Sequence, residues 1–134
     1  MVTSLNSRRM RTVPMRNRIN VLGTDYKIEI HKFSEDDYLK RNDWEGYCDE
    51  DLKLIVIADF DEKECFQYFS EEQKDISAKG TLRHEIIHAF LNESGLSNSA
   101  LRYDAAWAKN EEMVDWLAIQ FPKIAKAYEY LGIM

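Results

Sequence analysis

The chain has 134 residues, of which 45% are hydrophobic and 31% charged, and its formal net charge is −6. This length fits one domain with one core, and the composition excludes a largely disordered chain. No apolar run reaches the roughly 18–20 residues that a membrane span needs, so we expect a soluble protein without membrane partners. The two cysteines, Cys48 and Cys65, do not form a disulfide framework and favour reduced thiols in a cytoplasmic compartment.

The N-terminal segment differs in charge from the rest of the chain. Residues 1–18 contain five arginines and no acidic residue. The other 13 basic groups and all 24 acidic groups follow it, which gives the remainder a charge of −11. An acidic body argues against nucleic-acid binding except through the arginine-rich residues 8–18. We predict a flexible basic extension over residues 1–17 and a single domain over residues 18–134.

The first half of this domain predicts two β-hairpins. Residues 19–30 contain a Gly-Thr-Asp turn, and residues 26–30 alternate between apolar and polar side chains, as in a half-buried strand. Residues 46–58 predict the second hairpin, and the apolar, β-branched run 54–58 is typical of a central strand. The polar residues 34–43 between the hairpins predict a loop or a helical turn.

A long helix follows the two hairpins. Ser70, with polar residues over 71–73, is typical of a helix N-cap, and Gly95 is a typical stop signal. Gly80 lies in the middle of this helix and could kink or divide it.

A polar connection over 96–106 leads to a second helix over 107–121, and Pro122 then begins a short final helix. The spacing places three aromatic side chains of the second helix in the core: Trp107, Trp116 and Phe121. The whole pattern predicts an α+β fold, in which a small antiparallel sheet of two hairpins packs against the two helices.

The first helix contains the pattern H-E-x-x-H at His84-Glu85-Ile86-Ile87-His88. Histidines four residues apart lie on one helical face, so both rings can reach a single metal ion, and Glu85 can hold a metal-bound water. A helical wheel places the histidines at the border of an apolar face formed by Leu82, Ile86, Ile87, Phe90 and Leu91.

Zinc in a hydrolase usually takes three protein ligands and leaves the fourth position to water. The second helix offers Glu111 and Glu112 as third ligand. On a helical wheel, Glu111 and Asp115 occupy the border of their own apolar face, so we prefer Glu111 and keep Glu112 as the alternative. Asp115 could accept a hydrogen bond from the free ring N–H of a ligand histidine.

The motif His84–His88, followed by Asn110, Glu111 and Asp115, resembles the gluzincin metallopeptidases. Their signature is H-E-x-x-H followed by N-E-x-x-x-D or E-x-x-x-D. The resemblance implies that the two histidines and Glu111 bind Zn²⁺, that Glu85 is the catalytic general base, and that Asp115 orients a histidine.

The wider runs 82–96 and 110–121 are similar to small gluzincin-like proteins of bacteriophages and prophages, which are compact relatives of the ImmA/IrrE-type metallopeptidases. This resemblance implies a peptidase that hydrolyses a peptide bond of a protein or peptide substrate through a metal-activated water. We expect these 134 residues, unlike the larger members of the family, to contain no extended substrate-binding domain.

Alternatives remain open at this point. The protein could be a non-catalytic, phage-related protein that uses a metal-binding scaffold to bind a partner, because only Tyr103 and His31 are candidates to stabilise an oxyanion. Cys48 could be the third ligand, as in peptide deformylases, although Cys48 and Cys65 are also compatible with ordinary reduced thiols. The two histidines could also be a plain pair at a helix border, facing a solvated acidic face.

Overall fold

The computed structural model describes residues 16–62, 66–96 and 109–134. Within these ranges the fold is α+β, as predicted, and consists of a four-stranded sheet, two long helices and one short helix. The strands are β1 (Arg18–Val21), β2 (Thr24–His31), β3 (Gly46–Asp49) and β4 (Leu54–Ala58). The helices are α1 (Asp37–Asn42), α2 (Glu71–Glu93) and α3 (Glu111–Leu131), and a 3-10 turn (Phe33–Glu35) precedes α1. Outside the described residues lie residues 1–15, Cys65, Tyr103, Trp107 and most of the predicted connection over 96–106.

Both predicted hairpins are confirmed. β1 and β2 are antiparallel, with Val21 opposite Thr24. The two turn residues Leu22 and Gly23 have φ angles of 51° and 95°, as a two-residue hairpin turn of the primed type requires. β3 and β4 form the second antiparallel pair, with Asp49 opposite Leu54.

The prediction of a purely antiparallel sheet is wrong. The strand order is β1-β2-β4-β3, and the two central strands, β2 and β4, are parallel. The reason is the connection over residues 32–45, which passes through α1 and reaches the far edge of the sheet. There the chain forms β3, and the hairpin then places β4 between β3 and β2. A connection of this length permits a parallel crossover, whereas a tight turn enforces an antiparallel neighbour.

The central strand β4 is buried on both faces, as its apolar run predicts. Ile55 and Ile57 lie in the core on the α2 side of the sheet. Val56 and Ala58 lie in a second apolar cluster with Leu39 of α1. The sheet therefore separates two layers, α1 on one face and α2 on the other.

Helix α2 begins with the predicted cap. The Ser70 hydroxyl accepts a hydrogen bond from the Gln73 backbone N–H, and the Gln73 side chain returns one to the Ser70 N–H, which together form a capping box. The helix runs without a break through Gly80 and ends at Glu93, just before Gly95 with its φ of +85°.

The predicted apolar face of α2 needs correction. The buried positions are Lys74, Ala78, Leu82, Glu85 and Ala89, whereas Phe90 is 36% exposed. Two of these five positions are alanines, and α2 lies close to the sheet. A Cβ atom on Gly46 of β3 would lie only 2.8 Å from the Thr81 methyl group, so this close approach requires glycine.

The end of α2 is fixed to the sheet by the Glu93 carboxylate. It accepts hydrogen bonds from the hydroxyl groups of Tyr26 (2.7 Å) and Thr24 (3.0 Å), and Lys53 Nζ lies 2.8 Å away. These contacts place the preceding turns of α2, and hence His84 and His88, at a defined position over the sheet.

Helix α3 differs from the prediction in both bounds and burial. It begins at Glu111, and the Asn110 side chain caps it by accepting a hydrogen bond of 2.7 Å from the Met113 N–H. The helix continues through Pro122 and ends at Leu131, where Gly132 follows with a φ of +68°. Val114 and Ala118 are buried. The predicted core positions Trp116 and Phe121 are instead 56% and 55% exposed, because α3 is apolar on several sides and only one of them faces α2.

Candidate metal centre

The α2 helix presents its two histidines to the same point. Because they are four residues apart on one face, their ring centroids lie 4.8 Å apart and their Nε2 atoms only 3.2 Å apart. His84 and His88 are both partly buried, with side-chain exposures of 20% and 15%. Two imidazole nitrogens, the atoms through which histidine binds metals, are therefore brought together at the surface of α2.

The first turn of α3 places Glu111 directly opposite these nitrogens. Its Oε2 lies 3.1 Å from His84 Nε2, and its Oε1 lies 3.1 Å from His88 Nε2. Asn110, the N-cap of α3, fixes where the helix starts and so sets the position of Glu111. The alternative ligand, Glu112, is exposed and makes neither of these contacts.

Asp115 lies one helical turn after Glu111 and contacts the other side of the His84 ring. Its Oδ1 is 2.7 Å from His84 Nδ1. A carboxylate in this position holds the proton on Nδ1, which leaves the Nε2 lone pair free and makes it a better metal ligand. The structure thus brings Asp115 to the place where the sequence predicts it.

The Glu85 carboxylate is buried beside the histidines. Its side chain is 8% exposed, and its Oε1 lies 3.9 Å from His84 Nε2. Burial, with the nearby charges of Glu111 and Asp115, raises the pKa of Glu85 to about 8. The positive charge of a bound divalent ion acts in the opposite direction and favours the carboxylate.

Burial also prepares His88 for coordination. The cost of burying a charged ring is the largest influence on this residue and lowers its pKa, although the Glu111 carboxylate acts against it. A lower pKa keeps the imidazole neutral near pH 7, and the neutral ring is the form that binds metals.

These donor atoms fit a metal ion. One ligand atom each from His84, Glu85 and His88 lie within 4.8 Å of one another, a group that could hold a metal ion. Glu111 is closer to His84 than Glu85 is, at 3.1 Å against 3.9 Å, and it also lies 3.1 Å from His88. Ligand atoms about 2.0–2.1 Å from a tetrahedral ion lie about 3.3 Å from one another. The contacts of Glu111 are close to that value.

The centre opens into a cleft of about 1080 Å³ between α2, the start of α3 and the edge strand β3. The wall includes residues that the sequence patterns did not single out, among them Trp44, Glu45 and Tyr47. No motif marks these positions. The only signal is the mixture of aromatic and acidic residues over 43–51.

The remaining predicted candidates have other contacts or lie outside the described residues. Cys48 lines the cleft, where burial, with the Glu85 charge, raises its pKa to about 12, and its sulfur lies 3.9 Å from the Asn92 side-chain nitrogen. His31 lies on the opposite face of the sheet, where Asp36 and Glu29 hold its ring. Tyr103 lies outside the described residues.

Comparisons of the chain with protein-family models, curated proteins and solved structures give no match. The resemblance to gluzincins therefore stays a prediction from the motif residues. Within the part of the chain that the structure describes, no helix has both the length and the apolar character that crossing a membrane requires.

Proposed function

We propose that the protein is a zinc-dependent peptidase that uses Glu85 as general base. The observation that supports this proposal is the convergence of His84 Nε2, His88 Nε2 and the Glu111 carboxylate, which lie 3.1 to 3.2 Å from one another. A buried carboxylate and an open cleft adjoin this point.

The three proposed zinc ligands are His84, His88 and Glu111. Two imidazoles and one carboxylate are the donor set of several catalytic zinc sites, in which the fourth position is left to water. When bound, zinc lowers the pKa of its water to about 7 and polarises a carbonyl group. Asp115 supports this set by holding the proton of His84 on Nδ1.

Glu85 would carry out the proton transfers. Its carboxylate accepts a proton from a water in the cleft as the water oxygen attacks the carbonyl carbon. The same carboxyl group then delivers that proton to the departing amine nitrogen, so no covalent bond to the enzyme is needed. Burial suits this role, because a carboxyl group with a raised pKa can both accept and release a proton near neutral pH.

The position of β3 at the edge of the sheet favours a peptide as the substrate. The Ala58 N–H donates to the Glu45 carbonyl oxygen at 2.8 Å, so Glu45 and Ala58 are a hydrogen-bonded pair of the antiparallel ladder. Because such pairs alternate, the N–H and C=O groups of Gly46 and Cys48 point away from β4. An extended peptide could add to this edge as a further strand, within the cleft that contains the metal centre.

The test compares zinc-loaded wild-type protein with the variant Glu85→Gln. Both are incubated with a library of internally quenched fluorescent peptides, and zinc is measured by elemental analysis. We expect Glu85→Gln to lose about 100-fold or more of the cleavage rate while keeping one zinc per chain. The control Glu112→Gln changes an exposed carboxylate outside the cleft and should cleave at the wild-type rate.

The non-catalytic alternative predicts the opposite result. A wild-type protein that holds one zinc per chain and cleaves none of the library would contradict the peptidase proposal. Equal cleavage by wild type and Glu85→Gln would contradict the role of Glu85.

A further inference from the structure

Arg83 directly precedes the first histidine of the metal centre and lines the same cleft. Although the residue is exposed, its side chain follows the surface of α2. Its Nη2 atom lies 3.8 Å from the point at which a Cβ atom on Gly80 would stand. The guanidinium group therefore lies over Gly80, one helical turn before His84.

Helix geometry limits the distance between this guanidinium group and the metal centre. Gly80 and His84 are four residues apart, so their Cβ positions are about 5–6 Å apart. Together with the 3.8 Å contact, this places Arg83 Nη2 within about 10 Å of the His84 Cβ atom. An extended peptide advances about 3.3 Å per residue. A substrate group within about three residues of the cleaved bond is therefore in reach of Arg83.

Arg83 lies on the side of α2 that is turned away from β3. At about 100° per residue, Thr81 is rotated about 60° from His84 in one direction and Arg83 about 100° in the other. Thr81 faces the sheet, where its hydroxyl group donates to Glu45 at 3.4 Å. The acids of the cleft wall outside the metal centre all belong to the segment 43–51, which forms β3 and its flanks: Asp43, Glu45, Asp49, Glu50 and Asp51. The cleft thus has an acidic side along β3 and a cation on the other side.

The carboxylates that line the cleft beside α2 already have partners. Asp115 and Glu111 contact the histidines of the metal centre. Glu50 pairs with Lys109, the lysine of the cleft, at 3.5 Å. Among the described residues, Arg83 forms no ion pair. Its N–H donors are therefore available to an anion that enters the cleft.

A carboxylate is the anionic group that a peptide can bring to this position. A guanidinium group binds a carboxylate through two parallel N–H···O hydrogen bonds, a geometry that the ammonium group of lysine does not offer. The acids along β3 repel a substrate carboxylate, so it is directed to the side on which Arg83 lies.

We propose that Arg83 binds a carboxylate group of the substrate and so determines its specificity. This inference rests on the proposed function, and it names the substrate class as peptides with a carboxylate within about three residues of the cleaved bond. Two parts of a peptide supply such a group, its C-terminus and the side chain of an aspartate or glutamate.

The test measures peptide binding to the zinc-loaded full chain with Glu85→Gln, which removes the proposed base and so prevents cleavage. Three fluorescein-labelled peptides of eight residues share a sequence of glycine, serine and threonine around one central position. The reference peptide has glutamine there and a C-terminal amide, the second has glutamate and the amide, and the third has glutamine and a free C-terminal carboxylate. Fluorescence anisotropy should show the second or the third peptide binding about 3- to 10-fold more tightly than the reference. The peptide that is preferred identifies the source of the carboxylate.

Variants of two cations on α2 show where the carboxylate binds. Arg83→Gln should abolish the preference because it removes the donors, whereas Arg83→Lys should keep only part of it. Lys79→Gln is the matched control, since Lys79 is an exposed cation of the same helix that does not line the cleft. Its preference should stay within about twofold of that of the starting protein. Far-UV circular dichroism and zinc content check that each variant is folded and loaded.

The outcomes separate this inference from the proposed function. Equal binding of all three peptides, or a preference that persists in Arg83→Gln, would overturn the role of Arg83. A preference that depends on Arg83, with no cleavage by the wild-type protein, would support this role and contradict the peptidase. Cleavage by the wild type, with equal binding of the three peptides, would do the reverse.

Discussion

Two clusters of histidine and carboxylate lie on opposite faces of the same sheet, and they differ in what their ring nitrogens contact. On the α2 side, the Nε2 atoms of His84 and His88 are 3.2 Å apart and share the Glu111 carboxylate. On the α1 side, His31 stands alone, with Nδ1 bonded to Asp36 and Nε2 bonded to Glu29.

The difference shows what turns such a cluster into a candidate metal centre. His31 has both nitrogens engaged by carboxylates, so its favoured state is the doubly protonated ring, which has no lone pair to donate. His84 also has a carboxylate at each nitrogen, Asp115 at Nδ1 and Glu111 at Nε2, but its Nε2 lies 3.2 Å from that of His88, which shares Glu111. Residue types alone do not separate the two clusters, whereas the convergence of two imidazole nitrogens on one carboxylate does.

The largest expected effect is loss of metal affinity on the α2 side. His88→Gln should lower the affinity for Zn²⁺ by more than about 100-fold, because even residues that only support a metal ligand contribute 10–100-fold. His31→Gln should leave the affinity within about twofold. Competition with a chromophoric chelator measures both, and a similar loss in the two variants would remove the distinction between the clusters.

The second effect concerns Asp36, which acts on stability instead of metal binding. It is buried, caps α1 through the N–H groups of Tyr38 and Leu39, and accepts the Tyr47 hydroxyl. Asp36→Ala should lower the free energy of unfolding by about 2–3 kcal/mol, since it removes a cap and leaves a buried hydroxyl without its acceptor. Urea unfolding of the metal-free protein measures this, and a loss below 0.5 kcal/mol (roughly the size of an ordinary surface change) would contradict it.

Asp115 contacts the Nδ1 atom of His84 as Asp36 contacts that of His31. Its replacement should instead lower the affinity for Zn²⁺ and leave the stability nearly unchanged. Its side chain is 60% exposed, so Asp115→Asn should cost little stability. The affinity for Zn²⁺ should fall about 10-fold, because the His84 ring loses the carboxylate that orients it. Calorimetric titration with Zn²⁺ tests this, and an unchanged affinity would show that the contact with His84 does not support coordination.

The smallest expected effect is a pH dependence of the His31 cluster. Burial lowers the pKa of His31, but the hydrogen bonds to Asp36 and Glu29 outweigh it, so the pKa is raised overall. A raised folded-state pKa means that the stabilisation is complete below the unfolded value of about 6.5 and is lost as pH rises through the folded value. His31→Gln should therefore cost about 1 kcal/mol at pH 5.5, after allowance for partial exposure, and less at pH 9. Urea unfolding at both pH values would refute this if the cost were larger at pH 9.

Local patterns predicted the elements of this fold well. The capping residue Ser70 and the stop at Gly95 bound α2 closely, and the apolar run 54–58 is the central strand. The direction of β4 relative to β2 was not predictable in this way, because it depends on the path of residues 32–45 and not on any periodicity. Trp116 was placed in the core wrongly, since an apolar side chain at helical spacing does not show which side of a helix finds a partner.

The metal centre was predictable to the extent that spacing encodes it. The H-E-x-x-H pattern places two rings on one face of α2, and the Asn110–Asp115 pattern supplies acids one turn apart on α3. The cleft wall was not predictable, because Tyr38 of α1 and Tyr47 of β3 are brought together only by the packing of α1 beside the edge strand. Side chains that meet by tertiary packing leave no fixed spacing in the sequence.

The central claim is that Glu111 completes a three-ligand site with the two histidines of α2. The most direct test is the zinc content of the full chain after dialysis against a weak chelator, measured by elemental analysis for wild type, Glu111→Ala and Glu112→Ala. We expect one zinc per chain in wild type and in Glu112→Ala, and little zinc in Glu111→Ala. Zinc retained by Glu111→Ala, or absent from the wild type, would contradict it.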